Sequence, residues 1–205
     1  MRDAALRKQK DRLMAPLAGG WAAAIHPNHI SMLALVVGLL AALATWQQWY
    51  WAALVLWIGN RVLDGLDGVI ARVHHKQSDF GGYLDLILDF VVYLAIPIAF
   101  VAAMPTTLNL WAAIALISSF VLNLLSWSTL SALLEKRHLV AGERLTAIPI
   151  PAGLIEGAET IAFYTLFFLL PGYVGPLFMV MAALVVVTAA QRVWWAWRHL
   201  EHGSQ

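Results

Sequence analysis

Four aspartates stand out in a chain that is otherwise mostly apolar. Asp64 and Asp67 are three residues apart, and Asp85 and Asp89 are four apart. On a helix, either spacing puts both carboxylates of a pair on one face. The first pair lies in Asp64-Gly65-Leu66-Asp67-Gly68-Val69-Ile70-Ala71-Arg72. The second lies in Gly81-Gly82-Tyr83-Leu84-Asp85-Leu86-Ile87-Leu88-Asp89, after a gap of eight residues. Two helices joined by a short polar turn would bring the pairs together into an acidic pocket. Four anions so close repel one another and call for a positive charge to compensate them. Carboxylate oxygen is the ligand that hard divalent ions prefer, which points to Mg²⁺ or Mn²⁺ held by Asp64, Asp67, Asp85 and Asp89. Two such ions sharing carboxylates stabilise displacement at phosphorus. Gly68 and Ala71 keep one helix face flat, so a bulky group can approach the backbone. Arg72, one turn after Gly68, can clamp phosphate oxygens through two nitrogens.

The pattern D-x2-D-G-x2-A-R-x8-G-x3-D-x3-D resembles the signature of the CDP-alcohol phosphotransferase family. Asp64, Asp67, Gly68, Ala71, Arg72, Gly81, Asp85 and Asp89 fill every fixed position of it. The resemblance implies transfer of a phosphatidyl-type group from a CDP-linked lipid, CDP-diacylglycerol, to the hydroxyl of a small alcohol, with release of CMP. By the same resemblance Asp89 is the general base, with a second role near one of two metal ions. Gly68, Ala71, Arg72 and Gly81 shape the nucleotide-diphosphate pocket. The segment His26-Pro27-Asn28 is similar to the Pro-Asn segment that precedes the first membrane helix in this family, which adds Asn28 to that pocket. The family also implies a homodimer.

The elements that must position these residues are membrane helices. Of 205 residues, 61% are hydrophobic and 12% charged, against about 25% charged in an ordinary soluble domain. There is no cysteine, so neither disulfides nor thiolate metal sites arise. Six apolar segments, at about 29–47, 50–72, 80–103, 108–134, 148–170 and 173–198, are each long enough for a span of about 20 residues. The expected fold is all-α, with six transmembrane helices over residues 26–205. Residues 1–25 precede them, with Arg2, Arg7, Lys8, Lys10 and Arg12 interleaved with Leu6, Leu13, Met14 and Leu17. That alternation predicts an amphipathic helix lying on the membrane surface. Its charged start lacks the layout of a cleavable signal, so the first apolar span should stay in the membrane. Pro27 blocks a helix from running through, and Asn28 is expected to cap the next one. His26 and His29 lack a third ligand nearby and read as interfacial polar residues rather than a metal pair.

All thirteen Lys and Arg residues fall at 2–12, at Arg61, at Arg72 with Lys76, at 136–144, and at Arg192 with Arg198. The turns at 46–51, 104–111 and 170–175 hold none. The positive-inside rule then puts both termini and the aspartate motif on the cytoplasmic side of the cytoplasmic membrane. Trp46, Trp49, Tyr50, Trp51 and Trp111 would form an outer aromatic belt, and Trp194, Trp195 and Trp197 an inner one.

The acceptor alcohol is left open. Arg137 and Arg144, beside the fourth loop, would suit a phosphorylated acceptor. Glu156 and Glu159, three apart in the fifth segment, would suit one bearing an ammonium group. The reverse chemistry, with CDP on the headgroup and a lipid alcohol as acceptor, uses the same residues. A competing class is a non-enzymatic cation carrier, since transporters also place ionisable residues within the membrane. Arg72 fits poorly in a cation path, so an enzyme is the expected class. No nucleic-acid partner is expected.

Overall fold

The computed structural model describes residues 19–20, 24–141 and 153–201, and within these all regular secondary structure is helical. Helices α1 (Pro27–Trp46), α2 (Tyr50–Val73) and α3 (Asp79–Ala103) belong to one unit. Helices α4 (Thr107–Ala141), α5 (Gly157–Leu169) and α6 (Val174–Glu201) belong to a second, with a 3₁₀ turn at Pro171–Tyr173. Each helix falls on one of the six expected segments. Residues 1–18, which contain the basic stretch of the expected interfacial helix, and Arg144 lie outside the described residues.

In the first unit α1 packs against both α2 and α3. Its buried stripe is built from Ile30, Ala34, Gly38, Ala41 and Thr45, at helical spacing. Small side chains let the helices approach closely. A Cβ at Gly38 would come within 2.5 Å of Val92 on α3 and 3.0 Å of the Asn60 amide on α2. Asn60 in turn donates to the Ala34 carbonyl at 2.7 Å, tying α2 to α1. Trp57, Ile70, Ile96 and Phe100 complete the buried core.

The helix ends have local causes. Pro27 begins α1 with its fixed φ where no amide donor is needed. The cap is His26 rather than Asn28: its Nδ1 accepts from the Asn28 amide at 3.3 Å. Asn28 is therefore inside the first turn, with its side chain available to the site. The α1–α2 turn passes through Gln48 at φ 62°, and the Gln48 side-chain Nε2 donates to the Ala103 carbonyl at the end of α3. After α2 the chain reverses at His75, φ 53°, a left-handed conformation that histidine tolerates better than most residues. Ser78 caps α3 by accepting from the Gly81 amide at 3.0 Å. Pro97, inside α3, cannot donate to the carbonyl of Tyr93 one turn earlier.

In the second unit α4 packs on α6. Phe167 of α5 meets Phe178 of α6 edge to face, with ring centroids 4.8 Å apart. Thr188 Oγ1 accepts from the Leu154 and Ile155 amides, and Arg192 donates to Asn123. The fifth helix starts later than the sequence suggested. Residues 153–156 are not helical, and α5 begins at Gly157. Glu156 is its N-cap, and Glu156 and Glu159 form a reciprocal capping box. Glu156 thus stands at the start of the helix rather than inside the span.

Four helical stretches are long and apolar enough to cross a membrane: Pro27–Trp46, Asp79–Ala103, Thr107–Lys136 and Pro171–Leu200. Large apolar side chains such as Leu33, Leu40, Val91 and Val187 point outward, as a lipid environment requires. The protein is a membrane protein. Helix α2 carries the charged motif in its last turns, and α5, with 13 residues, is shorter.

Candidate active site

The motif aspartates gather where the ends of three helices meet. The start of α1 supplies Pro27, Asn28 and Ser31. The end of α2 supplies Asp67, Gly68, Ala71 and Arg72. The linker adds Lys76, Gln77 and Ser78, and the start of α3 adds Gly81, Gly82 and Asp85. Together they line a cavity of about 200 Å³. A second, smaller cavity of about 10 Å³ is lined by Ser31, Asn60, Asp64, Asp85 and Asp89 among apolar neighbours. The helical pairs are therefore split. Asp67 faces the large cavity and Asp64 the small one; Asp89 joins Asp64, and Asp85 belongs to both.

Asp67 is buried, and the Ser31 hydroxyl donates to its Oδ2. Asp64 shares the small cavity with Asp85 and Asp89 of α3. Arg61, one turn before Asp64, joins the group. Its Nη2 donates to Asp89 Oδ1 at 2.6 Å, and its Nη1 lies 3.8 Å from Asp64 Oδ2. By its place in the sequence Arg61 is one of the charges expected to set membrane orientation. It is instead buried among the carboxylates, its side chain only 8% exposed.

The glycines have specific reasons. The Arg72 guanidinium folds back over Gly68, so that a Cβ there would sit 3.2 Å from Arg72 Nη1. A Cβ at Gly81 would meet the Ser78 hydroxyl at 3.0 Å and Asn28 Oδ1 at 3.3 Å. Both glycines keep polar groups close to the cavity. Lys76 donates to the Ile25 carbonyl at 3.0 Å, which ties the linker to the chain preceding α1.

Among the described residues, no three His, Asp or Glu side chains stand ready-placed around a single ion position. Even so, the donor chemistry fits divalent ions. Four carboxylates offer hard oxygen ligands, Asp85 is shared by both cavities, and turns about χ1 and χ2 re-aim an aspartate without moving its helix. His26 and His29 lie elsewhere in role: His26 caps α1. Glu156 accepts from the Gly153 amide and Glu159 from the Glu156 amide, so both carboxylates serve the start of α5.

Ser31, Asn60, Arg61, Lys76 and Tyr93 were not identified from the sequence as site residues. Arg61 had a readable signal, an arginine three residues before an aspartate inside an apolar run. Tyr93, four residues after Asp89, had a weaker one. Ser31 had none, because its partner is 36 residues away.

Comparison with known proteins agrees with this architecture. The family model described as CDP-alcohol phosphatidyltransferase matches residues 24–194. The inner membrane protein YnjF of Escherichia coli K12 is 34% identical over 171 residues, covering 83% of this chain and 82% of its own length. A bifunctional IPC transferase and DIPP synthase of Aquifex aeolicus is 25% identical over 174 residues, which are 84% of this chain and 39% of that protein. A phosphatidylcholine synthase of Bradyrhizobium diazoefficiens is 35% identical over 98 residues, 45% of this chain and 36% of that enzyme. The family match begins just before α1, takes in the whole aspartate motif and ends inside α6: this chain belongs to the CDP-alcohol phosphatidyltransferase family.

Proposed function

We propose that the protein transfers a phosphatidyl-type group from CDP-diacylglycerol to the hydroxyl of a small alcohol, releasing CMP, in phospholipid biosynthesis. The observation that carries this reading is the position of Asp85. It lines both cavities, sharing the larger with Asp67 and Arg72 and the smaller with Asp64 and Asp89.

Asp64, Asp67 and Asp85, with Asp89, would hold two Mg²⁺ or Mn²⁺ ions. When bound, these ions neutralise the diphosphate and stabilise the departing CMP. Arg72 binds phosphate oxygens, and its place over Gly68 keeps the guanidinium at the cavity wall. Asn28, Ala71 and Gly81 shape the same wall for the nucleotide diphosphate. Asp89 accepts the proton of the acceptor hydroxyl. The oxygen then forms its bond to the phosphorus that carries the lipid, and the bond from that phosphorus to the CMP oxygen breaks, the electron pair leaving with CMP.

For the acceptor, Arg137 and Arg144 would attract a phosphorylated alcohol. Glu156 and Glu159 would suit an ammonium group, although their capping of α5 gives both a structural use. Six spans, cytoplasmic termini and a cytoplasmic site complete the reading, together with a homodimer and an N-terminal interfacial helix. A lipid-linked donor would enter from the inner leaflet and a soluble acceptor from the cytosol.

The test is CMP release by purified protein in detergent, with CDP-diacylglycerol and a panel of alcohols. Activity should vanish after chelation and return with Mg²⁺ or Mn²⁺. Full activity in excess chelator overturns the two-metal reading. CMP release only from a CDP-headgroup with diacylglycerol reverses donor and acceptor. No CMP release from any pair overturns the reading as a whole.

A further inference from the structure

Arg61 is buried within the carboxylate cluster, its side chain only 8% exposed. Long cationic side chains usually extend to the interface; this one is directed into the carboxylate cluster and buried there. Its three nitrogens are all engaged. Nε donates to Asn60 Oδ1 at 2.8 Å and Nη1 to the Tyr93 hydroxyl at 2.8 Å. Nη1 and Nη2 together fork onto Asp89, at 3.3 Å to Oδ2 and 2.6 Å to Oδ1. The guanidinium carbon lies 4.8 Å from the Trp57 ring centroid and 5.0 Å from that of Tyr93, within cation–π range of both. Asn60 is anchored on α1 through the Ala34 carbonyl, so three helices build the seat. A buried charge is costly unless it is paired and hydrogen-bonded. Here the pairing is to Asp89, one of the four carboxylates on which the proposed chemistry depends.

We propose that Arg61 is a built-in counter-cation, a positioning residue that fixes the Asp89 carboxylate and weakens divalent-ion binding on the Asp64–Asp85–Asp89 side of the site. The proposal rests on the function proposed above. Its physical basis is twofold. A bidentate fork fixes both oxygens of a carboxylate in one plane, which a point charge does not do. A permanent positive charge touching Asp89 and 3.8 Å from Asp64 repels any second cation brought to the same carboxylates. Arg61 thus favours an aimed Asp89 over maximal metal affinity.

The test compares wild type, Arg61→Gln and Arg61→Lys by Mn²⁺ binding, read from the free-ion electron paramagnetic resonance signal, and by CMP release. Size-exclusion elution in detergent checks folding. Arg61→Gln should bind Mn²⁺ roughly tenfold or more tighter, because a repelling charge is gone. Its kcat should fall by roughly 10–100-fold because Asp89 is no longer aimed, with KM for CDP-diacylglycerol little changed. A residue that merely supports the fold would lose metal binding and turnover together, and that result overturns the proposal. Unchanged Mn²⁺ affinity with normal kcat overturns it too. If Arg61→Gln does not fold, Arg61→Lys decides. It keeps the charge and loses the fork, so Mn²⁺ affinity should stay near that of wild type while kcat falls; normal turnover or a large change in Mn²⁺ affinity overturns the proposal. If wild type binds Mn²⁺ but releases no CMP, the function fails while the metal comparison still judges Arg61.

Discussion

The Ser31 hydroxyl on α1 donates to Asp67 Oδ2 on α2 at 2.5 Å, joining residues 36 apart. The bond makes α1 a third wall of a site whose signature lies wholly on α2, α3 and their linker. It also holds the aspartate that faces the large cavity alongside Asp85. A hydrogen bond to a charged group contributes about 1.5–3 kcal/mol. Ser31→Ala should therefore weaken Mn²⁺ binding and CMP release together, by roughly 10–150-fold, at about 1.4 kcal/mol per tenfold. Ser31→Thr, which keeps the hydroxyl, should stay close to wild type. Titration of Mn²⁺ against both variants is the check, and full function in Ser31→Ala would show that the contact is idle.

Gly68 leaves room for the Arg72 guanidinium. In Gly68→Ala the new methyl would sit 3.2 Å from Arg72 Nη1, and the flexible arginine would have to give way. Alanine favours a helix interior over glycine by about 1 kcal/mol, so the variant should fold at least as well. The loss should appear in the KM for CDP-diacylglycerol, raised several-fold, with a smaller change in kcat. An unchanged KM would mean that the position of Arg72 does not govern donor binding.

Asp89 and Asp85 should separate in mutant kinetics. Asp89→Asn keeps volume and removes proton acceptance, so CMP release should fall by roughly 10²–10⁴-fold, the usual worth of general-base catalysis. Metal-dependent binding of CDP-diacylglycerol should survive. Asp64→Asn and Asp85→Asn should damage metal and donor binding together, Asp85 most of all because it faces both cavities. Equal loss of binding in Asp89→Asn and Asp85→Asn would make Asp89 chiefly a ligand.

The orientation is testable because the chain has no cysteine, so an introduced thiol reports alone. A cysteine at Thr106 should react with an impermeant reagent from outside intact cells, and one at Gln77 should not. For the α1–α2 turn Gln47 is a better position than Gln48, whose φ of 62° and bond to Ala103 a substitution would disturb. Labelling at Gln77 but not at Thr106 or Gln47 would invert the membrane orientation and the proposed substrate access.

What the sequence determined by itself is the local part of this arrangement. Helical spacing placed Asp64 with Asp67 and Asp85 with Asp89, and hydrophobic length located the six helices of the described residues, with five of the starts within two residues. The start of α5 lies later than hydrophobic length alone suggests because Glu156 and Glu159 cap each other's backbone there instead of sitting within a span. Only the tertiary structure decided which carboxylate faces which cavity, because a shared helix face is wide enough for neighbours three residues apart to meet different partners. Asp67 meets Ser31 on α1, whereas Asp64 lines the small cavity with Asp89 of α3. The tertiary structure likewise turned Arg61 from a charge at the membrane edge into the partner of Asp89, 28 residues away. Periodicity along one helix fixes which side chains are neighbours within a few residues. The pairings across 28 and 36 residues exist only because Gly38 and the small residues of α1 let three helices approach closely enough for side chains to meet.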